Sequence, residues 1–256
     1  MIDTHCHIYL DQFQDDRVDV LDRAHAAGVT DIFMPAIDFS SLDEMQAVHH
    51  SSIQFHNMAG LHPVDVKAPF PDLEETLLRF CQSDDIVGVG ETGLDYYWST
   101  EHKECQKQSL NVHLNVAKQV AKPIILHNRE STSDLLATVE EQQDGSLTGI
   151  WHCFNGTLEE GKKAIDLGLL LGIGGVITFK NGGVDRTVAQ LPMEYMVLET
   201  DAPYLTPTPY RGKRNEPAYV GLVAQKLADI FECSREEVIT RTTANANALF
   251  FPKENI

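Results

Sequence analysis

Hydrophobic residues in this sequence gather into short runs, separated by longer stretches with helical spacing or helix-start chemistry. Eight such runs, several rich in β-branched residues, predict β-strands. They cover residues 2–6, 31–36, 55–60, 86–90, 123–127, 149–153, 169–173 and 196–200. Strands that alternate with helices in this way are typical of parallel βα units.

Helix signals lie between the strands. Three pairs match the capping-box spacing, in which two side chains satisfy backbone N–H groups at a helix N-terminus: Ser41 with Glu44, Thr157 with Glu160, and Ser234 with Glu237. An apolar stripe at helical spacing, formed by Val220, Val223, Leu227 and Ile230, predicts a helix face packed on the sheet. Residues 234–251 predict a closing helix, with Phe250 and Phe251 available to cover the barrel wall or floor.

Eight βα units in a chain of 256 residues favour an α/β fold, namely a single (β/α)8 TIM-type barrel with its active site at the C-terminal mouth. We expect residues 1–256 to form one domain. A doubly wound open sheet is the alternative, but it binds ligands at one switch point and does not need eight strands that aim residues at one centre.

Charge limits the range of partners. The chain has 20 Lys and Arg against 38 Asp and Glu, for a formal net charge of −18. Such a surface repels nucleic acids and anionic membranes at long range, so a polyanionic substrate would need local help from bound metals or a few arginines.

Cysteine usage and the absence of a long apolar run indicate where the protein works. Five widely spaced cysteines without a Cys-x-x-Cys pair favour reduced thiols over a disulfide framework. We find no signal peptide and no apolar run long enough to span a bilayer. We therefore expect a cytoplasmic protein that does not interact with membranes.

Potential metal ligands follow strand after strand, where a barrel would bring them to one mouth. The first run ends in His5 and His7, whose i, i+2 spacing places both imidazoles on one face of a strand. Later runs end in Glu91, His127, His152 and Asp201. Any one of these has an ordinary structural explanation, such as a helix cap or a hydrogen-bonded core histidine. Together they favour a metal site, because buried strands would otherwise have no reason to end in costly polar groups.

Six ligands are too many for one tetrahedral zinc site and fit two ions with positions left open for water and substrate. We assign His5, His7 and Asp201 to one ion, His127 and His152 to the other, and Glu91 to the bridge between them. A metal-activated water would be the nucleophile, with Asp201 able to accept its proton. Histidine and carboxylate ligands suit Mn, Zn, Co or Ni at least as well as Mg.

Seven ordered motifs resemble those of the TatD-type metal-dependent deoxyribonucleases, which are amidohydrolase-like barrels, across essentially the whole chain. They are IDTHCH at 2–7, GLHP at 60–63, GETGLDY at 90–96, PIILHNR at 123–129, HCFNG at 152–156, LETDAP at 198–203 and RGKRNEP at 211–217. The resemblance implies a TIM-type barrel, divalent metals at the six positions above, usually Mg, and hydrolysis of phosphodiester bonds in DNA in the manner of an exonuclease. The chain departs from the family at Ile8–Asp11, Asn128 and Asn155, which puts substrate preference in question more than chemistry.

Cations near the mouth are candidates for binding phosphate. Arg129 follows His127 by two residues, and Arg211, Lys213 and Arg214 form the one tight basic cluster of an acidic chain. A basic run is also commonly a solvated face that pairs with nearby acids. His62 is a candidate for contacting a phosphate oxygen or protonating the leaving group, although a role in orienting its loop is nearly as well supported.

Other residues receive structural roles. Glu199 faces inward as a partner of a ligand or as the holder of a further weak ion. We expect Cys6 and Cys153 to point outward and the histidines at 25, 49, 50, 102 and 113 to lie on the surface.

The sequence as a whole predicts a divalent-metal-dependent hydrolase that acts on the ends or single strands of DNA, is monomeric, and needs no obligate protein partner. The main alternative is a small-molecule amidohydrolase, phosphoesterase or lactonase with the same two-metal site. Net charge favours that alternative, whereas Arg129 and the basic cluster favour the nuclease. A metal-bound binding or scaffold protein without turnover is a third hypothesis, which the open two-metal ligand set disfavours.

Overall fold

Eight short strands form the centre of the protein in the computed structural model, which describes residues 1–252. They are β1 (Ile2–Asp3), β2 (Asp31–Pro35), β3 (Gln54–Ala59), β4 (Ile86–Asp95), β5 (Ile124–Arg129), β6 (Gly149–Trp151), β7 (Leu169–Ile173) and β8 (Met196–Leu198). Each of the eight predicted runs contains or overlaps one of them. The predicted domain ends at residue 256, so its last four residues lie outside the described part.

Helices alternate with the strands within residues 1–252. They are α1 (Arg17–Ala26), α2 (Ser41–Gln46), α3 (Leu73–Cys81), α4 (Lys103–Val120), α5 (Thr132–Gln142), α6 (Leu158–Asp166), α7 (Val184–Val188), α8 (Val220–Phe231) and α9 (Arg235–Phe250). None of these helices is long and apolar enough to cross a bilayer.

The sheet runs in the order β1-β2-β3-β4-β5-β6-β7-β8, and every neighbouring pair is parallel. Backbone hydrogen bonds then join the last strand to the first, from the Thr4 N–H to the Leu198 carbonyl (2.9 Å) and from the His7 N–H to the Ala202 carbonyl (2.8 Å). The (β/α)8 barrel is therefore confirmed. The doubly wound sheet is excluded, because its strand order would reverse at a switch point.

Apolar side chains fill the barrel below the mouth. One buried cluster gathers inward-facing residues from six strands: Ile2, Phe33, Met58, Ile125, Ile150 and Val197. Phe250, at the end of α9, joins this cluster and lies 4.2 Å from Phe33 between ring centroids. Phe250 thus closes the floor as predicted, whereas Phe251 is 45% exposed.

Helix caps follow the sequence signals in two of three places. Thr157 and Glu160 form a complete capping box at the start of α6. Ser234 accepts a hydrogen bond from the Glu237 N–H at the start of α9. The prediction for Ser41 is wrong, because α2 begins at Ser41 itself and the Ser41 hydroxyl donates to Asp38.

Strand β4 continues five residues beyond its predicted end at Gly90. Gly93 permits this extension, since its φ of +142° suits glycine and a Cβ there would lie 2.0 Å from the His127 carbonyl oxygen. The close approach of β4 to β5 brings Glu91 and Asp95 alongside His127.

Candidate metal centre at the barrel mouth

A cavity of about 820 Å³ opens at the carboxyl ends of the strands. Side chains with metal-binding chemistry line it: His7, His62, Glu91, His127, His152 and Asp201. His5 is fully buried beneath them. The mouth of the barrel therefore brings together all six residues that we assigned to metal binding.

Glu91 lies at the centre of this group and is 2% exposed. Its Oε2 lies 3.2 Å from His5 Nε2 and 3.5 Å from His7 Nε2. Its Oε1 lies 3.0 Å from His127 Nδ1 and 2.9 Å from His152 Nε2. The two oxygens of one carboxylate thus face two different pairs of imidazoles.

Asp201 faces the first pair. Its Oδ1 lies 3.7 Å from His5 Nε2 and 3.5 Å from His7 Nε2. Asp201 follows β8 in the left-handed region, with φ of +55°, which Asp tolerates better than most residues. Tyr9 fixes the orientation of the His7 ring. The Tyr9 hydroxyl donates its one proton to the Pro35 carbonyl (2.8 Å), so it must accept the hydrogen bond from His7 Nδ1–H (3.0 Å). The Nε2 of His7 therefore faces both carboxylates and is the ring nitrogen available to a metal ion.

Asp95 contacts His127 of the second pair, a contact that the sequence analysis missed. Its Oδ2 lies 3.0 Å from His127 Nε2, and Glu91 lies at the opposite nitrogen of the same ring. Asp95 was overlooked because β4 was expected to end at Gly90. The signal was its spacing, since residues 91 and 95 fall on one face of a continuous strand.

Burial and opposite charges set the protonation of the cluster. Burial raises the pKa of Glu91, but His152 and His5 outweigh it, so this pKa ends well below its ordinary value. Burial lowers the pKa of His152, but Glu91 and Glu199 reverse the effect and hold it well above its usual range. His5 is the exception, since burial and the neighbouring His152 lower its pKa. The imidazoles as a group thus hold positive charge beside buried carboxylates.

His62 lies at the edge of the same cluster. Its Nδ1 accepts a hydrogen bond from the Val64 N–H (3.2 Å), so its proton is on Nε2, which lies 3.5 Å from Glu91. Burial lowers the pKa of His62 to about 3. His62 is therefore neutral at physiological pH and able to donate a hydrogen bond through Nε2.

The loop that carries His62 is fixed by His113, which we expected on the surface. This expectation was wrong, since His113 is fully buried on α4. Its Nδ1–H donates to the Ser109 carbonyl (2.7 Å), and its Nε2 accepts the Leu61 N–H (3.1 Å). The sequence placed His113 on a helix but did not indicate which face of that helix is buried.

The predicted phosphate-binding arginines lie in different places. Arg129 lines the mouth cavity and stacks over Tyr97, with its Cζ 3.6 Å from the ring centroid. Arg214 instead pairs with Asp16 (2.6 Å) and lies over Phe13. Arg211 stacks on Phe179, beside a separate surface cavity. The structure therefore does not bring Arg211 and Arg214 to the mouth cavity, and their phosphate role stays a prediction.

The two cysteines that we expected to point outward and the inward-facing Glu199 lie in different environments. Cys153 lines the mouth cavity and does not point outward, because its left-handed backbone (φ +52°) breaks the strand alternation. Cys6 is buried in the outer apolar layer as predicted. Glu199 is fully buried, accepts the Cys153 N–H (2.6 Å) and lies 3.7 Å from His152 Nδ1.

Comparison with known proteins gives consistent matches over nearly the whole chain. A family model described as "TatD related DNase" matches residues 2–251. The uncharacterized metal-dependent hydrolase YabD of Bacillus subtilis is 34% identical over 98% of each chain. A protein of Citrobacter koseri named "3'-5' ssDNA/RNA exonuclease TatD" is 30% identical, again over 98% of each.

Solved structures agree on the fold. The crystal structure of the TatD homolog YJJV from Escherichia coli aligns with a TM-score of 0.90 and 29% identity, covering 98% of this chain and 97% of that one. A TatD-family hydrolase from Entamoeba histolytica aligns with a TM-score of 0.86 at 23% identity, covering 99% of this chain and 98% of that one.

Proposed function

We propose a function for this chain from one premise, that it belongs to the TatD-related DNase family and is a metal-dependent hydrolase. The resemblance inferred from seven motifs is thereby confirmed. Within that family, we propose that this protein hydrolyses phosphodiester bonds at an end of single-stranded DNA with two divalent ions. The observation that carries this proposal is the position of Glu91 between two pairs of imidazoles.

The spacing of the side chains at the mouth suits two bound cations. His5 Nε2 lies 3.2 Å from His7 Nε2, and His127 Nδ1 lies 3.4 Å from His152 Nε2. Pairs of ring nitrogens at such distances repel unless a proton or a cation lies between them. His5, His7 and Asp201 would hold one ion and His127 and His152 the other, with Glu91 shared. Mg or Mn is proposed first, with Zn, Co or Ni also compatible with these ligands.

Divalent ions at such a site lower the pKa of water and neutralise charge that develops on phosphate. His7 and the other histidines outweigh burial and hold the pKa of Asp201 below its ordinary value, so its carboxylate is ionised at neutral pH. Asp201 is therefore available to accept the proton of the attacking water. Neutral His62 donates a hydrogen bond to a phosphate oxygen through Nε2. Protonation of the leaving group by His62 stays a prediction.

Support for DNA as the substrate comes from two features. One relative is named as an exonuclease of single-stranded DNA and RNA. Arg129 has no ion pair within residues 1–252 and faces the cavity, so its guanidinium can bind a phosphate oxygen pair. The net charge of −18 favours the alternative, a hydrolase of small phosphoesters or amides.

The test is cleavage of an end-labelled single-stranded oligonucleotide in Mn²⁺ or Mg²⁺, beside the small diester methyl 4-nitrophenyl phosphate. We expect a ladder of products shortened from one end. Glu91→Gln should lower the rate at least about 1000-fold, because it removes the carboxylate charge that both ions would share. The surface variant Glu194→Gln should cleave normally. Rapid hydrolysis of the small diester with an intact oligonucleotide would contradict the proposal and favour the small-molecule alternative.

A further inference from the structure

Two large aromatic side chains are exposed beside the metal-binding mouth, in the loop that joins β4 to α4. Trp98 is 69% exposed and lines the mouth cavity, and the neighbouring Tyr97 is 49% exposed. Leaving an indole in water forfeits the burial that usually stabilises a tryptophan. An exposed aromatic ring at the rim of an active site therefore indicates a ligand that stacks on it.

The aromatic pair is held in place by its surroundings. The rings of Tyr97 and Trp98 pack edge to face, 4.9 Å apart between centroids. Arg129 lies over Tyr97 at 3.6 Å and 5.2 Å from the ring of Trp98. The Tyr97 N–H donates to Asp95 Oδ1 (3.0 Å), which ties the loop to the strand that carries Glu91.

A second anchor lies just before the pair. The Tyr96 hydroxyl donates to Asp134 (3.0 Å) on α5, and Lys103 and Lys107 pair with the same carboxylate at 2.7 Å and 2.9 Å. These contacts fix the segment before Trp98, and Lys103 ties the start of α4 to the same carboxylate, so Trp98 presents its surface with little ordering cost on binding.

Electrostatics favour a stacking ligand over a purely ionic one. The chain carries a net charge of −18, and Arg129 is the one arginine that lines the mouth cavity among the described residues. A polyanion held at this mouth therefore needs an attraction that does not depend on charge. Stacking on an aromatic ring supplies it for any nucleobase, provided that the base is not already paired in a duplex.

We propose that Trp98, supported by Tyr97 and Arg129, forms a platform on which a terminal nucleobase of a single-stranded substrate stacks, while Arg129 binds the adjacent phosphate. This inference rests on the proposed function and specifies the substrate further, as an unpaired end that carries its base. Stacking at the platform is independent of base sequence.

The first experiment compares two DNA hexamers of equal charge on the metal-loaded protein. One is oligothymidylate, and the other has an abasic residue at each end. We expect the wild type to prefer the base-bearing ends by about tenfold in kcat/KM. Trp98→Ala should reduce the ratio of the two rates to about one, and Trp98→Phe should restore most of it. The matched control is Tyr195→Ala, another exposed aromatic residue, before β8 at the opposite end of the barrel.

A second readout measures binding before turnover begins. The chain has two tryptophans, and Trp151 is fully buried, so a rapid change in fluorescence on mixing reports on Trp98. We expect stopped-flow quenching with oligothymidylate, and little with a hexamer that is abasic throughout. If the wild type cleaves the two hexamers at equal rates and its fluorescence is not quenched, the platform is overturned while DNA hydrolysis stands. Hydrolysis of the small diester with no cleavage of either hexamer would overturn the proposed function and the platform together.

Discussion

At the scale of single residues, the site depends on one carboxylate shared among imidazoles and on one arginine that faces the cavity. Glu91 contacts His5, His7, His127 and His152 through its two oxygens. Arg129 and Arg214 looked alike in the sequence, but the structure gives them different partners. This difference leads to a direct prediction.

We expect Arg129→Ala to lower kcat/KM for an oligonucleotide about tenfold or more, because a desolvated contact to phosphate is lost. The small diester should be affected less. Arg214→Ala should lower the free energy of unfolding by about 1 kcal/mol, through loss of the Asp16 pair and the contact with Phe13. Because Arg214 does not line the mouth cavity, its loss should reduce oligonucleotide cleavage less than the loss of Arg129. Kinetics on both substrates and urea unfolding measure these effects, and an equal loss of oligonucleotide cleavage in both variants would show the assignment to be wrong.

A buried histidine gives the protein a pH-dependent stability. Burial lowers the pKa of His113 from 6.5 to about 4. Between these values the unfolded chain binds more protons than the folded one, so stability is lost as the pH falls from about 6.5 to about 4. The shift of the His113 pKa from 6.5 to about 4 corresponds to a loss of about 3 kcal/mol in the free energy of unfolding once the pH has fallen below both values.

Urea unfolding of the wild type and His113→Asn from pH 7 to pH 4.5 tests this prediction. The variant should be less stable at pH 7, because the Leu61 N–H loses its acceptor. The difference between the two proteins should narrow as the pH falls. A difference that stays constant over this range would contradict a neutral, buried His113.

At the scale of elements, much of the architecture was predictable because its signals are local. Eight apolar runs, the capping box of α6 and the stripe on α8 follow from side-chain periodicity and helix-end chemistry. The extension of β4 was not predictable, because it depends on Gly93 and the close packing of β5. Asp95 was missed for that reason. The left-handed backbone at Cys153 likewise results from tertiary context, so strand alternation failed there.

The floor of the barrel provides a test of one element, the end of α9. Phe250→Ala should lower the free energy of unfolding by about 3–5 kcal/mol, because it leaves a cavity among Phe33 and its neighbours. Phe251→Ala is the matched control and should cost less than about 1 kcal/mol, since that ring is 45% exposed. Denaturant midpoints and slopes measure both effects. Comparable losses in the two variants would show that Phe250 does not seal the floor.

At the scale of the whole molecule, folding concentrates ionisable groups at one end of the barrel. In the metal-free protein, burial lowers the pKa values of His7 and His152, but Tyr9 and the facing carboxylates raise that of His7, and Glu91 and Glu199 raise that of His152, well above 6.5. These histidines therefore contribute stability that is present below pH 6.5 and is lost as the pH rises through their raised pKa values. Binding of metal ions should replace that contribution, because the carboxylates then face cations at every pH.

We accordingly expect the EDTA-treated protein to lose stability as the pH rises above neutrality, and the Mn-loaded protein to lose much less. Thermal or urea unfolding at pH 6.5, 8 and 9.5, with and without metal, measures the effect. Glu194→Gln serves as a control for the general change in surface charge. Parallel pH profiles with and without metal would mean that the ions bind elsewhere.

The number of ions bound per chain tests the central claim most directly. Equilibrium dialysis against Mn²⁺, followed by elemental analysis, should give two ions for the wild type. Glu91→Gln should retain at most one, bound more weakly, because it removes the carboxylate that both pairs of imidazoles share. A wild type that binds one ion or none, or a Glu91→Gln variant that still binds two with unchanged affinity, would contradict the account.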